Sequence, residues 1–189
     1  MENKNAAQPT KVITGKCRFS YLNAFTPKTD DDGDEKYGVC LLIPKKDKET
    51  LRKIEAAVDA AIEIGKGKLG DAKGKVNKKT LKLPLRDGDE ERPDDEAYEG
   101  MMFMNANSKQ KPGLVDVDRQ PIIDSTELYS GCWGRASVNF FAFDGKQKGI
   151  ACGLNNLQKL SDDAPLGGRS NAEDDFSEEY DEDDDDMLK

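Results

Sequence analysis

The order of apolar and polar residues along the chain predicts a fold made mainly of β-strands. Several segments are rich in β-branched and aromatic residues, alternate in part between apolar and polar positions, and end at turn-forming residues. These predicted strands cover residues 11–25, 37–44, 100–107, 114–117, 127–143 and 148–154. We expect the first two to pair as a hairpin with a long loop, and Asp144-Gly145 fits a tight turn between the last two.

One segment, residues 47–64, has the periodicity of an α-helix. The apolar residues that recur on one face of this helix are Leu51, Ile54, Val58 and Ile62. Asp47 is suited to cap the first turn, and the glycine at position 65 ends the pattern. Several short strands and one main helix in about 150 residues predict a mainly β fold, a small antiparallel barrel of the OB kind.

Charge is distributed unevenly along the chain and divides it into three parts. The formal net charge is -9, but residues 161–189 hold 13 of the 38 acidic residues and only 2 of the 29 basic ones. That segment therefore carries a net charge of −11, and the preceding 160 residues carry +2. We predict a disordered N-terminus at 1–9, a folded domain at 10–160 and a disordered acidic tail at 161–189, because the tail has too few apolar residues to fold.

A second charge reversal lies inside the predicted domain, at residues 65–99. Residues 65–86 hold 8 basic residues and one acid, and residues 87–99 hold 8 acids and one arginine. We interpret 65–99 as a mobile excursion with a short strand near 80–85. Its lysines, represented by Lys78, Lys79 and Lys82, would contact phosphates through charge alone. The alternative is a solvated loop whose two halves balance each other.

The residue types argue against a metal or cofactor. The chain has no histidine, and none of its four cysteines, Cys17, Cys40, Cys132 and Cys152, shows CxxC spacing. We expect these cysteines to be buried and reduced. There is no Walker A motif or GxGxxG loop. No apolar run approaches the ~18 residues of a membrane span, and the N-terminus lacks the apolar segment of a signal peptide. We therefore expect a soluble, cytoplasmic protein without cofactors.

The strand at 132–143 has two faces of different chemistry. One face is small and apolar, as in the interior of a barrel. The other face carries Trp133, Arg135, Ser137, Asn139, Phe141 and Phe143. Aromatic rings on a sheet can stack the bases of single-stranded DNA while cations follow the phosphates, and Lys16 and Arg18 of the first strand could join this face. The alternative is that the aromatic residues pack under a loop or in a dimer interface.

The acidic tail suggests an interaction segment. A polyanion can occupy a DNA-binding groove of its own chain and is released for partner proteins when DNA displaces it. Four apolar residues of the tail could be gripped by those partners: Phe176, Tyr180, Met187 and Leu188. The alternative is a tail that only increases solubility.

Two segments of the sequence resemble a known family. The runs YSGCW and ASVNFFAF within residues 129–143, followed by KGI at 148–150 and GLNNLQ at 153–158, are similar to bacteriophage single-stranded DNA-binding proteins. The resemblance implies an OB fold with an acidic C-terminal tail. It also implies non-enzymatic, sequence-tolerant binding of single-stranded DNA in phage replication, recombination or repair, in the host cytoplasm. Homodimers, and tails that contact replication or recombination proteins, are implied as well.

Two other classes of function compete with this interpretation. A metal-dependent nuclease needs carboxylates held around Mg²⁺, and Asp116, Asp118 and Asp124 form the one isolated set in the sequence. A structural or DNA-mimic protein would use the acidic tail as its active part, and its folded domain alone would not bind DNA.

Overall fold

A computed structural model describes residues 8–167 as one eight-stranded sheet with three helices. The strands are β1 (Lys11–Ile13), β2 (Cys17–Thr29), β3 (Glu35–Pro44), β4 (Arg86–Asp87), β5 (Met101–Ser108), β6 (Gly113–Val115), β7 (Trp133–Asp144) and β8 (Lys148–Ser161). The helices are α1 (Lys48–Ile64), α2 (Lys66–Leu69) and α3 (Gly88–Glu91). No helix within this part of the chain is long and apolar enough to span a bilayer.

The sheet closes on itself. Strands β2, β3, β5, β8 and β7 pair in that order, and β7 pairs back with β2 to complete a ring. The pairings within the ring are antiparallel except that of β5 with β8, which is parallel and is formed at Asn107 and Gly153. The predicted hairpin of β2 and β3 is present. A mainly β, OB-like ring with one main helix is the fold class predicted from the sequence, which is therefore confirmed.

The interior of the ring is lined by the residues that alternation assigned to it. On β7 these are Gly134, Ala136, Val138 and Phe140, all buried. They meet apolar residues from β3, β5 and β8, and α1 adds Ile54, Ala57, Val58 and Ala61 to the same core. All four cysteines are buried and free, as expected. Burial raises the pKa of the Cys17 thiol to about 12, so that this thiol stays protonated at neutral pH.

The start of α1 is tied to a break in the first predicted strand. Asp47 caps the helix, because its carboxylate accepts hydrogen bonds from the Thr50 backbone N–H (3.1 Å) and hydroxyl (2.7 Å). The Thr50 hydroxyl in turn accepts from the N–H of Gly15 (2.9 Å). A Cβ at Gly15 would lie 2.5 Å from the Asp47 carboxylate. The single strand predicted at 11–25 is therefore two strands, because Gly15 must leave the sheet to meet the helix.

The excursion at 65–99 packs against the ring, contrary to the mobile loop predicted. Leu69 and Leu81 are buried in the main core. Lys82 bridges Gly149 of β8, and β4 pairs with β5, so this segment lies where β5 and β8 separate after their one paired position. The leucines spaced among the lysines are the residues that pack this segment against the ring. They are too few and too far apart to form the recognisable pattern of a strand or a helix.

Three turns share one hydrogen-bonding pattern. Asp30, Asp71 and Asp116 each accept bonds from the backbone N–H groups two and four residues later. The residue three positions later has a positive φ in every case. In the first two turns that residue is a glycine, but in the third it is Arg119, with φ 63°. Arginine at this position is strained because its Cβ crowds the backbone.

We predict that Arg119→Gly stabilises the fold. Glycine removes the left-handed strain but adds entropy to the unfolded chain, so the free energy of unfolding should rise by about 0.5–1 kcal/mol. Urea denaturation measures this. Gly33→Ala, at the equivalent position of the first turn, is the matched control and should lower the free energy of unfolding.

We predict that Asp47→Ala lowers the free energy of unfolding by about 1–2 kcal/mol, because it removes the cap of α1. Glu49→Ala is the control, since Glu49 forms only an exposed pair with Lys53 at 3.2 Å and exposed pairs contribute little. Equal losses of stability in the two variants would contradict the capping role.

Candidate nucleic-acid interface

The outer face of β2, β3 and β5 is partly covered by residues 88–99, which we call the acidic flap. Its anchor is Tyr98, which is 1% exposed and packs edge-on against Phe103 with 5.1 Å between ring centroids. Cys40 and Leu42 complete this small cluster beneath the flap. The flap leaves two openings on the face, which we call the Trp133 opening and the Tyr21 groove after the aromatic residue that lines each.

The Trp133 opening brings together the aromatic and basic residues predicted on separate strands. Arg18 of β2 is the register partner of Trp133 on β7. The guanidinium carbon of Arg18 lies 6.0 Å from the centroid of the indole ring, and the Lys16 ammonium lies 5.5 Å from it. Both distances are within the range of cation–π attraction. Lys16 is exposed, whereas Arg18 is mostly buried and donates to the Gly131 carbonyl at 2.9 Å.

Residues 162–166, which we call the strap, lie beside this opening and contact Trp133 and Arg18. The indole N–H of Trp133 donates to the Asp163 carboxylate at 2.8 Å. Arg18 donates to the Ala164 carbonyl at 2.7 Å and lies 3.8 Å from the Asp163 carboxylate. Leu166 then packs against the cluster beneath the flap. The first residues of the predicted acidic tail therefore contact the very groups that the sequence assigned to DNA.

The strap carboxylates are held in their charged forms by these contacts. The Trp133 indole, more than any other group, lowers the pKa of Asp163, and Arg18 and Lys16 add to the effect. Lys159, 2.7 Å away, is the main cause of the lowered pKa of Asp162, followed by the Tyr129 hydroxyl. Two carboxylates thus lie on a cationic surface of the kind that attracts phosphate.

The remaining residues of the predicted β7 face do not form one site with Trp133. An extended strand places Phe141 about 26 Å from Trp133, and Phe143 lies still farther along. Arg135 donates to the Thr14 carbonyl, and the Asn139 amide oxygen accepts from the Thr10 hydroxyl, so both side chains help to hold the β1 segment on β7. Phe141 is 48% exposed.

The three predicted phosphate-contacting lysines lie at the far end of β7 from Trp133. Lys82 bridges Gly149, which pairs with Phe143 near the β7–β8 turn. Lys78 is paired with Asp59 at 2.7 Å, and Lys79 is exposed. These lysines and the Trp133 opening could contact the same nucleic acid only if it followed the length of the ring.

The Tyr21 groove was missed by the sequence analysis. Tyr21 is 60% exposed, although strict alternation places it on the same side as Phe19, which is fully buried. Three amides, those of Asn23, Asn105 and Asn107, line the groove beside it, and we call them the groove amides. The alternation of Asn105 and Asn107 with buried Ala106 was the available signal, because it indicates a polar outer face.

Comparison with known proteins identifies the family. The family model described as Enterobacter phage Enc34, ssDNA-binding protein, matches residues 10–188 of the chain. The chain belongs to this Enc34 family.

Solved and sequenced relatives of this Enc34-family chain agree with the assignment. The single-stranded DNA-binding protein of bacteriophage Enc34, solved in complex with ssDNA, is 28% identical, with a TM-score of 0.67 over 84% of this chain and 90% of that one. Protein p50 of Acyrthosiphon pisum secondary endosymbiont phage 1 is 28% identical over 84% of this chain and 88% of its own length. The single-stranded DNA-binding protein of bacteriophage T7 shares 17% identity and a TM-score of 0.54, covering 91% of this chain and 95% of that one, and supports the fold alone.

The carboxylates considered for a nuclease serve as turn residues in this Enc34-family chain. Asp116 accepts from the backbone N–H groups of Asp118 and Gln120, and Asp124 accepts from the N–H and hydroxyl of Thr126. Within residues 8–167, no three histidine, cysteine or acidic side chains are grouped as metal ligands would be.

We predict that Asp163→Ala exposes Trp133. Loss of the strap contact should increase acrylamide quenching of Trp133, the one tryptophan of the chain. Asp163→Asn, which keeps an acceptor for the indole N–H, should show a smaller increase. Because the pKa of Asp163 is lowered from its ordinary value of 3.8, the wild-type contact should be complete above pH 3.8 and lost as the pH falls below it. Equal quenching of wild type and Asp163→Ala at pH 7 would contradict the contact.

Proposed function

We propose that this protein binds single-stranded DNA without enzymatic activity and with little sequence preference. The observation that carries the proposal is the meeting of Trp133 with Lys16 and Arg18 on the outer face of an OB-like ring. An exposed base can stack on an aromatic ring while neighbouring cations hold the backbone, an arrangement that favours any sequence. The 28% identical Enc34 protein in complex with ssDNA supports the same ligand class.

We propose further that the acidic tail competes with DNA for this face. The strap supports this, since Asp163 contacts Trp133 and Arg18, and Asp162 contacts Lys159 and Tyr129. A phosphate backbone could take over these contacts and release the strap. The freed tail would then recruit replication or recombination proteins through Phe176, Tyr180, Met187 and Leu188, which lie outside the described residues.

The biological setting and the assembly are proposed on the strength of the family. Single-stranded DNA is exposed during phage replication, recombination and repair, which take place in the host cytoplasm. A homodimer is the assembly we expect. Its interface could use the apolar groove in which Ile64, 72% exposed, and Phe141, 48% exposed, lie together beside Ala142.

We predict salt-sensitive binding of labelled oligo-dT that exceeds binding to duplex DNA. Affinity should fall steadily from about 50 to 200 mM salt as counterions are released, and binding should quench the fluorescence of Trp133. Trp133→Phe keeps an aromatic ring and should bind better than Trp133→Ala, which should lose about 5- to 150-fold. Failure of the full chain and of a version ending at residue 167 to bind oligo-dT at low salt would overturn the proposal.

The same assay separates the tail from the strap. A version ending at residue 167 keeps the strap and should bind more tightly than the full chain if the acidic tail competes. Substituting both Asp162 and Asp163 by Asn in the full chain removes the strap charges alone. Cleavage of the oligonucleotide upon addition of Mg²⁺ would favour the nuclease alternative. Loss of DNA binding in the version ending at 167 would favour the DNA-mimic alternative.

A further inference from the structure

Tyr21 has a backbone conformation that tyrosine rarely adopts. Within residues 8–167, Tyr21 (φ 47°) and Arg119 are the only residues other than glycine that have a positive φ. The strain at Arg119 follows from its turn, because the two equivalent turns of the chain have a glycine at this position. Tyr21 lies in no such turn, and its ring gains little from burial because it is 60% exposed. A bulky residue held in this region indicates a local requirement that outweighs the strain.

A β-bulge in β2 turns Tyr21 outward. Ser20 pairs with Cys40 and Asn23 pairs with Gly38, so Tyr21 and Leu22 oppose the single residue Val39. The Leu22 N–H donates to the Ser130 hydroxyl at 2.9 Å, which holds the bulge. Bulges of this kind redirect a side chain at functional sites. Here the redirected side chain is the tyrosine, which lies on the outer face of the closed sheet.

The groove beside Tyr21 has the chemistry of a base-binding site. The three groove amides offer both donors and acceptors, which suit the varied edges of nucleobases. Gly38 keeps the floor open, because a Cβ there would lie 2.4 Å from the Asn107 amide oxygen. Asp30 and Asp31 also line the groove, and Asp30 pairs with Lys36 at 2.8 Å. Lys28 lines the groove as well, so two lysines and two aspartates balance in formal charge. A groove without excess positive charge and lined by three amides favours a neutral base over a phosphate.

The flap completes the aromatic site. The guanidinium carbon of Arg92 lies 5.9 Å from the Tyr21 ring centroid and 5.1 Å from that of Tyr98. Buried Tyr98 fixes this part of the flap, so Arg92 is a positioning residue that orients the Tyr21 ring. Tyr21 remains well exposed with Arg92 in place.

We propose that Tyr21 is a stacking platform for a base of single-stranded nucleic acid, with the groove amides hydrogen-bonding to base edges. This inference rests on the proposed function and adds a second aromatic contact, separated from Trp133 by the flap. One strand would cross the outer face with a base at each opening.

Tyr21→Asn tests the platform in the full chain. Asparagine tolerates positive φ better than tyrosine, so the midpoint of thermal unfolding should stay equal or rise. Affinity for fluorescein-labelled oligo-dT should nevertheless fall by about 5- to 150-fold, the range for one lost stacking contact. Tyr21→Phe keeps the ring and should retain most of the affinity. An oligonucleotide carrying 5-iodouracil should cross-link to Tyr21 under ultraviolet light.

Gly38→Ala is an independent variant that leaves Tyr21 in place. Its methyl group displaces the Asn107 side chain, so affinity should fall while the fold is kept. Unchanged affinity in both Tyr21→Asn and Gly38→Ala, with wild type binding normally, would overturn the inference and leave the proposed function standing. If wild type itself fails to bind oligo-dT, the proposed function fails first. If Tyr21→Asn loses stability, the affinity of Gly38→Ala and the cross-link to Tyr21 decide whether the inference stands.

Discussion

The closure of the ring between β2 and β7 is the constraint on which the rest of the structure depends. It rests on two paired positions, Cys17 with Gly134 and Arg18 with Trp133. Gly134 allows the strands to meet, because a Cβ there would lie 2.2 Å from the Gln158 carbonyl and 2.6 Å from the Phe19 ring. The buried ring of Phe19 fills the space that a side chain would need. The same pairing sets Arg18 beside Trp133, so closing the core and assembling the Trp133 opening are one event.

Carboxylates of two segments, the strap and the flap, contact the cations around this face. In the strap, Asp163 contacts Trp133 and Asp162 pairs with Lys159. The flap is held by Lys45, which bridges Asp87 and Asp89 at 2.7 Å each. All of these groups are at least partly exposed, so each pair is weak and sensitive to salt. Under the proposed function, weak contacts of this kind suit a surface on which DNA displaces the acidic tail, and their number would make that exchange responsive to ionic strength.

Strain and burial distinguish the two aromatic contacts that we assign to DNA. Trp133 is half-covered and held by a hydrogen bond, so its release requires a movement of the strap. Tyr21 is already exposed and is held outward by a bulge, so it needs no such movement. Under the proposed function, the acidic segment would therefore regulate the first contact, while the second would be available at all times.

The sequence by itself determined the features that depend on neighbouring residues. The helix with its Asp47 cap, the alternation of β7, the burial of the four cysteines and the mainly β class all follow from local periodicity, which a strand or a helix imposes over a few residues. The family could also be predicted, because the resemblance is carried by residues close together in the chain around 129–158, although the family model matches residues 10–188.

Only the tertiary structure decided the features that depend on distant partners. Gly15 leaves the sheet to reach Thr50, the lysine-rich segment fills the seam between β5 and β8, and the strap reaches back to Trp133. The β2 bulge reverses the direction that alternation assigned to Tyr21, since one extra residue shifts the register of a two-residue repeat. Periodicity reports which face a residue shares with its neighbours along the chain. The residues that meet it across the fold are set by strand register and ring closure.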